Sequence, residues 1–214
     1  MNENIEKAVK KGTTTVGIVC KDGIVLAADK RASAGYLIAN NKTDKVHKLN
    51  NDSAITMAGL VSDAQLILKL SKAELRLKKI RNAKKPTMKE TANMLANIFY
   101  QNIRKPSMVP GIVSFLLGGR DNHGYHLYDI GVDGSLSRMT DFVSTGSGSP
   151  IAYGVLETLY NKEITVKEGI LLVKKAISSA IQRDMPTGDG IDVFTITEKG
   201  AQKVETQHLV KKIE

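Results

Sequence analysis

Apolar and β-branched side chains gather abruptly at Thr13, after a polar first dozen residues that read as a loose arm. Residues 13–20 (TTTVGIVC) predict a strand, Lys21-Asp22-Gly23 a turn, and the apolar run 24–28 a second strand, so a hairpin opens the folded part. Residues 53–58 predict another strand. Beyond it Leu66, Leu70, Ala73, Leu77 and Ile80 step by four and three, which predicts a helix with that stripe inward and most lysines outward. Lys85-Pro86 ends this stretch. Thr87 and Glu90 have capping-box spacing for a second helix, whose core side is Leu95, Ala96, Phe99 and Ile103.

The middle returns to strands at 112–117 and 125–130 across the Asp121-Asn122-His123-Gly124 turn, with a further turn at Asp133-Gly134. Ser149-Pro150 predicts the start of a third helix, with serine as N-cap and proline in the first turn. Thr165 and Glu168 box a fourth, with Ile170, Val173, Ile177 and Ile181 inward and Pro186 and Gly188 past its end. Strands at 192–197 and 203–208 close the chain. Helices arriving in pairs point to antiparallel sheet layers covered by helices, because a βαβ sheet would alternate them singly. No repeat, linker or second-domain boundary interrupts the 214 residues, so one α+β domain is expected.

Composition narrows the class rather than the function. With 42% hydrophobic and 25% charged residues the chain is neither fibrous nor disordered. A single cysteine, Cys20, excludes an intrachain disulfide and fits a reducing, cytoplasmic setting. No apolar run is long enough for a membrane span, and the first residues lack the apolar centre of a secretory signal. The net charge of +9 is concentrated: residues 69–89 hold nine basic residues and one acid, Glu74. A solvated helix face is the first reading of that run, an acidic protein surface the second and nucleic acid the third, because no nucleic-acid-binding signature accompanies it.

Few residues suggest chemistry on their own. His123 and His126 lack the partners of a tetrahedral metal site, so no metal is expected. Gly146-Ser147-Gly148-Ser149 before a helix could cradle an anion, but it is neither a phosphate-binding loop nor a nucleophile elbow. Cys20, in an apolar strand, reads as core. What remains is Gly12-Thr13-Thr14-Thr15, where arm meets strand. A threonine hydroxyl needs a base, and an N-terminal threonine carries one as its α-amine, with an unperturbed pKa of about 7.7–8.0. Cleavage before Thr13 would supply that amine. Taken alone, three threonines in a strand are more often β-propensity than chemistry.

The stretches GTTTVGIV, LAADKRASAG, KVHKL, TMAGLVSDAQ, LLGGRD, GSGSPIAYGVLE and RDMPTGDGIDV occur in order from residue 12 to about residue 197. Together they resemble the proteasome β-subunits, most closely the archaeal catalytic type. The resemblance implies an N-terminal nucleophile hydrolase fold, a four-layer αββα sandwich of two antiparallel sheets flanked by helices. It also implies a propeptide of residues 1–12, removed by cleavage between Gly12 and Thr13, and a catalytic domain from residue 13 to 214. Thr13 is then the nucleophile, with Asp29 and Lys45 completing the central trio. Ser147, Asp184 and Thr187 match the outer polar network, and the family often has serine at the last of these. Pro186 beside it is a local departure. The Gly59 N–H matches the oxyanion donor, which would stabilise charge developing on the scissile carbonyl.

The positions matching the first specificity pocket are Ala32, Thr43, His47, Met57 and Val61, with Ser33 offering main-chain pairing. Mostly small or apolar, they imply cleavage after hydrophobic residues. The leading reading is a threonine endopeptidase subunit in homoheptameric rings, capped by α-subunits, degrading unfolded polypeptides delivered by a regulatory ATPase. No cofactor, metal, nucleic acid or membrane is required. Alternatives are a structural β-subunit that never cuts, the related bacterial two-ring peptidase, and nucleic-acid binding through the basic run.

Overall fold

The computed structural model describes residues 12–208; the expected propeptide, except Gly12, and the last six residues lie outside this range. Strands β1 (Thr15–Cys20), β2 (Gly23–Asp29), β10 (Phe142–Thr145), β11 (Gly190–Thr197) and β12 (Gly200–His208) form one five-stranded sheet in the order β10-β1-β2-β11-β12. Strands β5 (Val46–Asn50), β6 (Ser53–Gly59), β7 (Val113–Asp121), β8 (Gly124–Ile130) and β9 (Leu136–Met139) form the second, in sequential order. All pairings in both are antiparallel. A hairpin of β3 (Ala32–Ala34) and β4 (Leu37–Asn40) stands apart.

Strand periodicity explains how the sheets stack. All of β2 is buried, which a strand covered on both faces requires. Its Ile24, Leu26 and Ala28 meet Leu116 and Leu127 between the sheets, whereas Val25 and Ala27 turn toward the helices α3 (Ser149–Leu159) and α4 (Val166–Arg183). On β7 the alternation repeats, with Phe115 and Leu117 facing α1 (Val61–Asn82) and α2 (Met88–Ile103). Phe99 of α2 packs edge-on against Phe115, ring centroids 4.8 Å apart. The molecule is thus the four-layer αββα sandwich of the N-terminal nucleophile hydrolases.

Both capping boxes form, at Thr87–Glu90 and Thr165–Glu168. Three expectations need correction. On α1 the buried residues are Ala64, Ile67, Leu68, Ser71 and Leu75, while Leu66, Leu70, Ala73, Leu77 and Ile80 are exposed. The helix carries two apolar stripes of equal spacing, and the inward one is disguised by Ser71, whose hydroxyl is satisfied by the Ile67 carbonyl at 2.6 Å. That helix also stops at Asn82, ahead of Lys85-Pro86, with Ala83 in the left-handed region (φ 51°). On α3 the N-cap is Gly148 rather than Ser149, whose hydroxyl instead donates to the Gly146 carbonyl at 2.7 Å. Among the described residues no helix is long and apolar enough to cross a membrane.

Candidate active site

Thr13 lies two residues before β1, Asp29 ends β2, and Lys45 immediately precedes β5 in the opposite sheet. Closing the two sheets at this end therefore brings together groups that are distant in sequence. Lys45 Nζ donates to Asp29 Oδ1 at 2.7 Å and to Thr13 Oγ1 at 3.1 Å. The Thr13 hydroxyl in turn donates to the carbonyl oxygen of Gly12 at 2.7 Å. All three side chains are buried. Burial pulls the Lys45 pKa below the usual lysine value; the Asp29 carboxylate opposes this but does not cancel it. The result is an amine that Asp29 holds in place and that gives up its proton more readily than a solvated lysine.

Asp29 is fixed from all sides. Its Oδ1 also accepts from Thr14 N–H at 3.0 Å, and Oδ2 accepts from the N–H groups of Arg31 at 3.0 Å and Gly188 at 2.9 Å. The outer residues converge as well: Ser147 Oγ donates to Asp184 Oδ2 at 2.6 Å, and Thr187 Oγ1 donates to the same oxygen. Thr187 also reaches Thr14 Oγ1 at 2.8 Å, which links this cluster to the residue next to Thr13.

The Gly146–Ser149 loop has a different task from the anion cradle its composition allows. A Cβ on Gly146, where φ is +98°, would lie 1.9 Å from the Thr13 carbonyl oxygen, and one on Gly148 would lie 2.1 Å from Thr14 Oγ1. Glycine is needed so that the loop backbone can press against the start of β1.

Gly59 ends β6 at φ +113°, one residue ahead of the Leu60 N-cap of α1, a conformation that suits only glycine and turns the chain toward the helix. Of the expected specificity positions, Ala32 and Ser33 lie on β3, His47 on β5, Met57 on β6, and Val61 opens α1. Met57 N–H donates to the Lys45 carbonyl at 2.8 Å, and Thr43 N–H to the Lys30 carbonyl at 3.0 Å, so one is tied to Lys45 itself and the other to the residue after Asp29. Among the described residues the buried hydroxyls of Ser33 and Thr43 have no hydrogen-bond partner. His47 Nε2 sits 3.0 Å from the Asp44 carbonyl. Burial lowers its pKa.

Two neighbours of Asp29, Arg31 and Lys30, escaped sequence reasoning. Arg31 forms a two-pronged pair with Asp189, at 2.9 and 3.0 Å, and donates to the Met185 carbonyl at 2.7 Å, clamping the 184–189 loop onto the end of β2. Lys30 pairs with Asp192 at 2.7 Å and Asp44 at 2.9 Å. His126 is committed to Asp121, Nε2 to Oδ1 at 3.0 Å. Burial foremost pushes the Cys20 thiol up to about 12, which makes it unreactive.

The proteasome subunit family model matches residues 9–196, most of the chain. The chain belongs to the proteasome subunit family. It is 46% identical to a proteasome subunit beta of Ferroglobus placidus over 91% of each chain. It is 44% identical to that of Archaeoglobus profundus, over 97% of this chain and 94% of the other. A third, from Methanothermobacter thermautotrophicus, is 44% identical over 98% of both. These relatives place the chain with the β-subunits, and membership implies a subunit of the proteolytic core particle that assembles with other proteasome subunits.

Proposed function

We propose that this chain is a threonine endopeptidase that frees its own nucleophile by cutting between Gly12 and Thr13. One observation carries the reading: a single buried hydroxyl, Thr13 Oγ1, lies between the Lys45 amine and the carbonyl of the preceding residue. In self-cleavage Thr13 Oγ attacks the Gly12 carbonyl carbon. Its proton passes to Lys45 in the neutral form that burial makes accessible. The C–N bond breaks, the Thr13 nitrogen takes up a proton, and Gly12 is left esterified to Oγ. Water then hydrolyses the ester, releasing the residues up to Gly12 with a carboxylate and exposing the Thr13 α-amine.

That amine becomes the nearby base for substrate cleavage. Thr13 Oγ attacks a peptide carbonyl, the leaving amine is protonated, and water resolves the acyl-enzyme. Gly59 N–H is assigned the developing oxyanion. Asp29 keeps Lys45 oriented, and Ser147, Asp184 and Thr187 hold the new terminus. Ala32, Thr43, His47, Met57 and Val61 form the specificity pocket, which suits apolar residues, with Ser33 pairing to the substrate main chain. The active unit is a homoheptameric ring in a cytoplasmic barrel capped by α-subunits and fed unfolded polypeptides by an ATPase.

The test is intact mass after co-expression with an α-subunit. Loss of residues 1–12 in the assembled wild type, but not in Thr13→Ala, is expected. Retention in a fully assembled wild-type particle overturns the reading in favour of a structural subunit. Peptides with an acidic residue before the cut, hydrolysed faster than apolar ones, would refute the pocket assignment.

A further inference from the structure

We infer that Pro186 is the residue that restricts the position before the scissile bond to glycine, a role resting on the self-cleavage proposed above. Gly12 is buried, and its α-carbon faces the pyrrolidine ring. A Cβ built on Gly12 would lie 1.7 Å from Pro186 Cβ, 2.5 Å from Pro186 Cγ and 2.9 Å from Ser147 Oγ. The first two atoms belong to a ring fused to the backbone and cannot swing aside. The serine hydroxyl could rotate, but it is engaged by Asp184.

The loop bearing Pro186 is equally unable to retreat. Thr187 N–H donates to the Asp184 carbonyl at 3.0 Å on one side. Arg31 holds the Met185 carbonyl, and Gly188 is held through both backbone groups, N–H to Asp29 Oδ2 and carbonyl from Lys30 N–H at 3.1 Å. Gly146 closes the other side, its α-carbon against the Thr13 carbonyl oxygen. The Gly12–Thr13 segment is therefore held between two backbones, Pro186 against the Gly12 α-carbon and Gly146 against the Thr13 carbonyl. Any side chain at position 12 must push the Gly12 carbonyl away from the Thr13 hydroxyl that is to attack it.

The contact is specific enough to predict which substitutions rescue which. Alanine at position 186 keeps the Cβ that makes the worst clash; glycine removes it. In particles co-assembled with an α-subunit, with precursor conversion followed by intact mass, wild type and Pro186→Gly should mature at rates within a few-fold of each other. Gly12→Ala should be slowed at least about a hundredfold, since misplacing the reacting atoms by about 1 Å has that effect. Gly12→Ala with Pro186→Ala should stay slow, and Gly12→Ala with Pro186→Gly should regain most of the rate.

Wild-type conversion together with unhindered Gly12→Ala, or with no rescue by Pro186→Gly, overturns the inference while leaving self-cleavage standing. An unprocessed wild type in an assembled particle refutes self-cleavage itself. Should Pro186→Gly alone fail to mature, the same pair is compared by thermal unfolding in a Thr13→Ala background, where nothing is cut. There Gly12→Ala should lower the midpoint, and less so with glycine at 186; additive effects of the two substitutions overturn the inference.

Discussion

Asp29→Asn is the sharpest test of the trio, because it removes a charge with almost no change of shape. The carboxylate is wholly buried and accepts four hydrogen bonds, two on each oxygen. An amide presents one oxygen and one NH2, so whichever way it is turned two donors meet a donor. With Oδ1 replaced, Lys45 and Thr14 N–H lose their acceptor; with Oδ2 replaced, Arg31 and Gly188 lose theirs. In both cases Lys45 loses its counter-charge. Removing one partner from a buried ion pair costs about 3–5 kcal/mol. Two unsatisfied buried groups at about 1–3 kcal/mol each reach the same range.

At about 1.4 kcal/mol per tenfold, the loss corresponds to about 10²–10⁴ in rate where the transition state needs the arrangement intact. The direction on Lys45 is fixed too: with the Asp29 carboxylate gone, burial, the largest influence, loses its main opponent and the amine is neutral to lower pH. The assay is the time course of Gly12–Thr13 cleavage by intact mass in α-assembled particles, with assembly checked by gel filtration. Cleavage of assembled Asp29→Asn within tenfold of wild type would refute the reasoning, since a buried Lys45 would then not need this partner.

Three further outcomes are expected. Leu75→Ala should cost about 2–5 kcal/mol of folding stability and Leu77→Ala less than about 1 kcal/mol, since only the former is buried; denaturant unfolding with the order reversed would refute the observed rotation of α1. Cys20, buried and with its thiol pushed up to about 12, should resist alkylation in the native particle at pH near 8, and stoichiometric labelling without unfolding would contradict that burial. Asp44 is held down to about 2, chiefly by the Lys30 hydrogen bond. Its folded pKa lies below the unfolded value of about 3.9, so its contribution is complete above that value and fades as pH falls toward 2. Asp44→Asn should therefore flatten stability against pH in that window, and unchanged acid unfolding curves would speak against the pairing.

Sequence reading reached the elements whose signal is local. Thr87–Glu90 and Thr165–Glu168 are short-range hydrogen-bond patterns, and both form. The strands missed, β3, β4, β5, β9 and β10, are three to five residues long, and all of β4 is exposed, so no apolar alternation marks it. Thr13 stood out as a candidate from its place at the junction of arm and strand, but its grouping with Asp29 and Lys45 was legible only through whole-motif resemblance, because nothing in the spacing of 13, 29 and 45 says that two sheets close on one another. Arg31 was invisible for the same reason in stronger form. Its partner Asp189 is 158 positions away, and both look like ordinary surface charges until the fold joins them. The phase of α1 failed for a chemical reason: a serine that satisfies its hydroxyl on its own helix can be buried, and hydropathy patterns count it as polar.

The neighbouring charges Asp29 and Lys30 explain how the trio stays exclusive. They are adjacent, opposite in sign and both buried, yet they do not share a partner. Successive side chains of an extended segment point to opposite sides. Asp29 therefore meets Lys45, while Lys30 is taken up by Asp192 and Asp44 on the far side. Asp192 is in turn satisfied by Lys203 at 3.0 Å and by the Thr206 hydroxyl at 2.8 Å. With its ammonium engaged by two carboxylates, Lys30 cannot compete for Asp29. Because Asp44 immediately precedes Lys45, the same pairing anchors the entry to β5 from which the Lys45 amine reaches Thr13. Buried charge is tolerable only where it is paired, and here the second ion network is what leaves Asp29 to Lys45, whose amine also donates to the Thr13 hydroxyl.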